Sequence, residues 1–147
     1  MYDTQVIVRP PSEADSFLLP VTIGCSHNKC AFCGTYTGIK FRIRHPEDIK
    51  QYIDKVAQNY SWSVRRVFLE NGDALIAPQR ILVEVLKHLK QRFPYLDRIG
   101  SYATPKAALI KSVDELKELN KLGEIRVNIR EYSGCIQGVI LTTLNAT

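Results

Sequence analysis

Three of the four cysteines fall within nine residues, Cys25-Ser26-His27-Asn28-Lys29-Cys30-Ala31-Phe32-Cys33, while Cys135 stands about 100 residues further on. This C-x4-C-x2-C run has no fourth thiol nearby, so it can supply only three thiolates to one centre. A four-iron cluster held that way keeps one iron without a protein ligand, open to a small molecule. Zinc held by Cys25, Cys30, Cys33 and His27 is the alternative, a Cys3His set compatible with tetrahedral ligation. Either use needs free thiolates and fits a reducing compartment better than a disulfide framework does. Cys135 reads as an ordinary buried thiol.

The elements that must position these groups alternate along the chain. Ser16 to Ile23 is a short apolar run stopped by Gly24, a buried strand with Pro20 marking an edge. Pro46 opens a helix with Glu47 and Asp48 in its first turn and Ile49, Tyr52, Ile53, Val56 and Tyr60 at helical spacing. Tyr52, Tyr60 and Trp62, on or beside that apolar face, are expected in the core. Val64 to Leu69 is a second strand, and Glu70-Asn71-Gly72-Asp73 after it has turn chemistry. Pro78 opens a helix whose apolar face is Ile81, Leu82, Val85, Leu86 and Leu89, ended by Pro94. Arg98 to Tyr102 is a third strand. Ser112-Val113-Asp114-Glu115 is a capping box leading Leu116, Leu119 and Leu122, and Gly123 stops that helix. Ile125 to Ile129 alternates as a fourth strand.

Strands alternating with helices of this length predict an α/β fold with a parallel sheet and right-handed crossovers. In such folds the loops after the strands share one rim and carry the chemistry. Three polar loops take that position: Cys25 to Cys33, Glu70 to Asp73, and Ser101 to Thr104. Nothing divides the 147 residues, so 1–147 is expected as a single domain.

Composition narrows the classes. At 45% hydrophobic and 24% charged the chain is neither a disordered tail nor a collagen-like or coiled-coil repeat. It has no run of about 18 apolar residues and no basic-then-apolar start, which predicts a cytoplasmic protein. The net charge of +5 is scattered, with short groups at Lys40-Arg42-Arg44 and Arg65-Arg66. Nucleic acid is therefore a possible but not favoured partner. Lys29, Lys40, Arg42 and Arg44 read as solvated loop charges, with steering of an anionic substrate or a cofactor carboxylate as the alternative.

Val21 to Gly34, with its three cysteines, resembles the signature of radical S-adenosylmethionine enzymes in the variant with four residues between the first two cysteines. The similar group comprises iron-sulfur oxidoreductases related to oxygen-independent coproporphyrinogen oxidase and to tRNA methylthiotransferase-type domains. The resemblance implies a [4Fe-4S] cluster on Cys25, Cys30 and Cys33, and S-adenosyl-L-methionine chelated through its amino and carboxylate groups. It further implies reductive cleavage to a 5′-deoxyadenosyl radical that abstracts substrate hydrogen, the cofactor carrying the hard chemistry. Phe32 matches the family's aromatic against the adenine. Asn71-Gly72-Asp73-Ala74 stands where the family has Gly-Gly-Glu-Pro, whose backbone meets the cofactor's amino group; only Gly72 is identical. Ser101 matches a polar position near the cofactor. An electron donor of flavodoxin or ferredoxin type is implied as partner.

The resemblance covers about residues 5–123, and 124–147 diverge. The family's glycine-rich fourth strand is absent, and Glu131 is a poor substitute for its acid. A partial (β/α)6 barrel with about four βα units is thus expected, incomplete at its C-terminal end, with an open strand edge that invites self-association. A non-enzymatic cluster or zinc module, or an inactive relic of such an enzyme, is the competing expectation.

Overall fold

The computed structural model describes residues 11–26, 34–122, 124–132 and 135–143. Strands β1 (Phe17–Pro20), β4 (Arg66–Glu70) and β5 (Arg98–Ala103) form a parallel sheet, with Leu19 opposite Leu69 and Leu69 opposite Ser101. Between β1 and β4 lie the two-residue strands β2 (Thr22–Ile23) and β3 (Arg42–Ile43), paired antiparallel, and then α1 (Pro46–Tyr60). Helix α2 (Gln79–Arg92) joins β4 to β5 after a short 3-10 turn at Ala74–Ile76. The spatial order β1-β4-β5 repeats the chain order. Right-handed crossovers without a reversal of order put the connecting helices on one face. There Leu19, Val67, Leu69 and Ile99 of the sheet meet Ile49 and Ile53 of α1 and Leu82, Val85 and Leu89 of α2 in one apolar core.

The helix boundaries follow local chemistry. Pro46 sits at the start of α1, and His45 Nδ1 accepts from the Glu47 backbone N–H at 3.3 Å. Asp54 on α1 accepts from both His88 Nε2 and Arg92 Nε of α2, each at 2.7 Å, and fastens the two helices. The expected capping box is formed ahead of α4 (Val113–Leu122): Glu115 N–H donates to Ser112 Oγ at 3.1 Å and Ser112 N–H to Glu115 Oε2 at 2.8 Å. Tyr60 and Trp62 are not core residues, since they are 59% and 71% exposed. They lie past Ala57, the last buried residue of α1, and Trp62 instead leans on Tyr95 with ring centroids 5.5 Å apart.

The second half of the chain departs from a repeated βα pattern. A short helix α3 (Pro105–Ile110) precedes α4, and the expected fourth strand lies within β6 (Glu124–Tyr132). Strand β6 does not pair with β5; it pairs antiparallel with β7 (Cys135–Thr143), which itself pairs antiparallel with β5. The reason is connection length: two residues join β6 to β7, enough for a hairpin, whereas a parallel return needs a dozen or more. The chain is therefore α/β, with a three-strand parallel sheet and, among the described residues, four helices, extended by an antiparallel pair. Among the described residues no helix is long and apolar enough to cross a membrane.

The face of the sheet away from the core carries a polar cluster. Phe68 and Tyr102 meet edge to face at 5.1 Å, and Glu13, fully buried, accepts from Ser16 and pairs with Arg98 at 2.7 Å. Burial, then the Glu13 charge, holds the Tyr102 phenol above its ordinary pKa. A raised folded-state pKa contributes stability that is complete below the unfolded value and is lost as pH rises through the folded one. The urea midpoint of Tyr102→Phe should accordingly fall less between pH of about 9 and 11 than that of the parent protein. Parallel curves would show that the phenol does not feel this environment.

Candidate cofactor site at the carboxyl end of the parallel strands

The loop after β1 and the loop after β4 are pressed together at backbone distance. Gly24, at φ +78°, turns the chain out of β2 into Cys25, which is 6% exposed. Gly72 N–H donates to Gly24 O at 3.3 Å, and Asn71 Nδ2 donates to Thr22 O at 2.8 Å. Asn71 itself adopts φ +80°, a left-handed conformation that asparagine tolerates better than most residues. A Cβ at Gly72 would stand 2.6 Å from Cys25 Cβ and 2.8 Å from its Sγ. Only a residue without a side chain lets the β4 loop lie on the thiol.

Asp73 locks this contact. It is fully buried, its Oδ1 accepts from Thr104 N–H at 3.1 Å, and its Oδ2 accepts from Thr104 Oγ1 at 2.8 Å and Ser26 Oγ at 2.5 Å. Thr104 Oγ1 in turn accepts from Ala107 N–H at 3.2 Å and so caps α3. One carboxylate thus ties the cysteine loop, the β4 loop and the turn after β5. A buried carboxylate demands such donors, because unpaired it would cost several kcal/mol, roughly 3–5.

Of the residues singled out from sequence, Cys25, Asn71, Gly72 and Asp73 are brought together. Ser101 is not. It shares the core-facing side of β5 with Ile99 and Ala103, and its hydroxyl donates to Tyr102 O at 2.8 Å. Cys30, Cys33, Phe32 and His27 lie outside the described residues, and Cys135 begins β7. The sequence reading passed over the roles of Ser26 and Thr104. Thr104-Pro105 did carry a signal, an N-cap residue followed by proline at the first helical position.

The donor set tests the implied cofactors. Asn71 Oδ1 is buried and accepts no hydrogen bond among the described residues, and the next residue in the chain, Gly72, packs on the Cys25 thiol. An orphaned buried acceptor one residue before a glycine that packs on a thiol fits an ammonium-bearing ligand held near a thiolate-bound metal. Comparison with protein-family models, curated proteins and solved structures finds no match.

Two substitutions test the contact and the lock. With Cys30, Cys33 and Cys135 replaced by Ser, Gly72→Ala should displace Cys25 and raise its rate of reaction with a thiol reagent by about tenfold or more; unchanged reactivity would show that the loops do not touch. Thr104→Val removes one donor to Asp73 and the cap of α3. It should lower unfolding stability by about 1–3 kcal/mol in urea titrations, and a neutral result would remove Asp73 as the fastening group.

Proposed function

We propose that the chain holds a [4Fe-4S] cluster on Cys25, Cys30 and Cys33 and binds S-adenosyl-L-methionine beside it, initiating radical redox or modification chemistry on a substrate. The observation that carries this reading is the close approach of Gly72 to Cys25, which joins the cysteine loop to the loop resembling the family's amino-group-binding segment. Once bound, the cluster and its ligand supply one-electron reduction and sulfonium cleavage, a chemistry that side chains alone do not perform.

The protein's part is binding and orientation. Cys25, Cys30 and Cys33 are ligands, and Phe32 offers an aromatic face to the adenine. Asn71 Oδ1 is the free acceptor for the ligand's ammonium group. Asp73 is a positioning residue, since both its oxygens are already engaged by Thr104 and Ser26. Ser101 keeps a place in the proposal only through the backbone of β5, because its hydroxyl is committed to Tyr102 O.

The same reading takes β1, β4 and β5 as the first three strands of a partial (β/α)6 barrel. Their unreversed order and the single helix-bearing face support it, since a doubly wound sheet would place helices on both faces. Strand β7 then stands, antiparallel, where a fourth parallel strand would pair. A flavodoxin- or ferredoxin-like electron donor completes the proposal.

Anaerobic reconstitution with iron and sulfide, then reduction with S-adenosylmethionine present, should yield 5′-deoxyadenosine. Cys30→Ala should abolish it. Gly72→Ala should lower it at least about tenfold by displacing a ligand. A stable cluster without cleavage would reduce the protein to a cluster-binding module, and stoichiometric zinc without iron would end the radical reading.

A further inference from the structure

On the helix-bearing side of the same end of the sheet, a groove of about 480 Å³ runs between the start of α1 and the first turns of α2. Its apolar walls are Ile43, Pro46 and Ile81. Its acids share one lysine: Lys50 Nζ pairs with Glu47 at 3.1 Å and with Glu84, and this contact, with a smaller contribution from the Arg80 charge, holds the Glu84 carboxyl below the usual carboxylate range. Among the described residues neither Arg44 nor Arg80 has an acid within 4 Å. The Arg44 Nε atom is buried and has no hydrogen-bond acceptor among the described residues. Lys40 and Arg42, both exposed on or beside the adjoining hairpin, add positive charge.

We propose that this groove binds a small organic phosphate monoester, its phosphate held by Arg44 and Arg80 and its organic part lying on Ile43, Pro46 and Ile81. A buried Nε–H lacking an acceptor calls for one, and the guanidinium fork matches phosphate oxygens two at a time. Counting Lys50, three cations, Lys50, Arg44 and Arg80, outnumber the two carboxylates, Glu47 and Glu84, that an anion would meet here. The volume argues against a bare ion: it lies within the roughly 300–1,000 Å³ range of small-molecule sites. The groove stands on its own residues, and the proposal holds with or without a cluster in the neighbouring loop.

Calorimetric titration of the whole protein at low salt, with ribose 5-phosphate and separately with inorganic phosphate, tests this. Saturable binding of ribose 5-phosphate, tighter than that of inorganic phosphate, is expected. Arg44→Gln and Arg80→Gln should each weaken it about tenfold, while Arg65→Gln, at the opposite end of the sheet, should leave it unchanged. Arg80 is exposed on α2, so its variant keeps the test valid should Arg44→Gln fail to fold. Equal affinity for the two probes would overturn the ester reading in favour of a free-anion site. Absence of saturation, or an equal loss in Arg65→Gln, would overturn the site itself.

Discussion

A carboxylate with no exposed surface, Asp73, governs the arrangement of the whole rim. Burial without donors would make that charge untenable, so the chain must bring donors to it, and it does so from two other loops, through Ser26 and Thr104. The geometry of each loop thereby depends on the others. Cys25 is held by residues more than forty positions away, and α3 starts where it does because Thr104 is held at Asp73. The left-handed Asn71 and the bare Gly72 are consequences of the same demand. They bend the β4 loop so that Asp73 reaches inward while Gly72 rests on the thiol.

The two faces of the sheet solve their polar problems differently. The helix-bearing face is apolar throughout β1, β4 and β5, apart from Ser101, which satisfies itself on its own strand. The opposite face instead buries an ion pair, Glu13 with Arg98, beside Phe68 and Tyr102. A buried pair of this kind adds little net stability against an apolar alternative, but losing one partner is costly. It ties the 3-10 turn at Pro11–Glu13 to the start of β5, and the Glu13 charge adds to burial in holding the Tyr102 phenol above its ordinary pKa.

The elements legible from sequence were those whose signals are local. α1, α2 and α4 carry proline or capping-box starts and apolar stripes, and β4 and β5 are apolar runs bounded by turns. The hairpin of β2 and β3 was not legible, because two-residue strands have no period to read. β7 was missed because Cys135–Thr143 lacks the clean alternation that marked Ile125 to Ile129, and its neighbours are set by the short connection to β6 and by β5. At the rim, residue types flagged Cys25, Gly72 and Asp73 correctly as neighbours. Their bonding was invisible, since which group donates to a buried carboxylate depends on contacts 31 and 47 residues apart in sequence.

Charge is distributed at this end of the molecule with the same logic and the opposite outcome. Inside the rim every oxygen of Asp73 is spoken for, and the acids Glu47 and Glu84 outside it share one lysine. Arg44 and Arg80 stand at the groove with no acid within 4 Å among the described residues, and Lys40 and Arg42 lie alongside. A net charge of +5 on a chain of this size says little by itself. Grouping guanidinium groups around apolar walls, while one lysine engages both nearby carboxylates, creates a field that selects anions by position rather than by total charge. Salt weakens the exposed part of that field within a Debye length of about 8–10 Å. The buried Arg44 Nε is shielded from such screening, so short-range recognition outlasts long-range attraction as ionic strength rises.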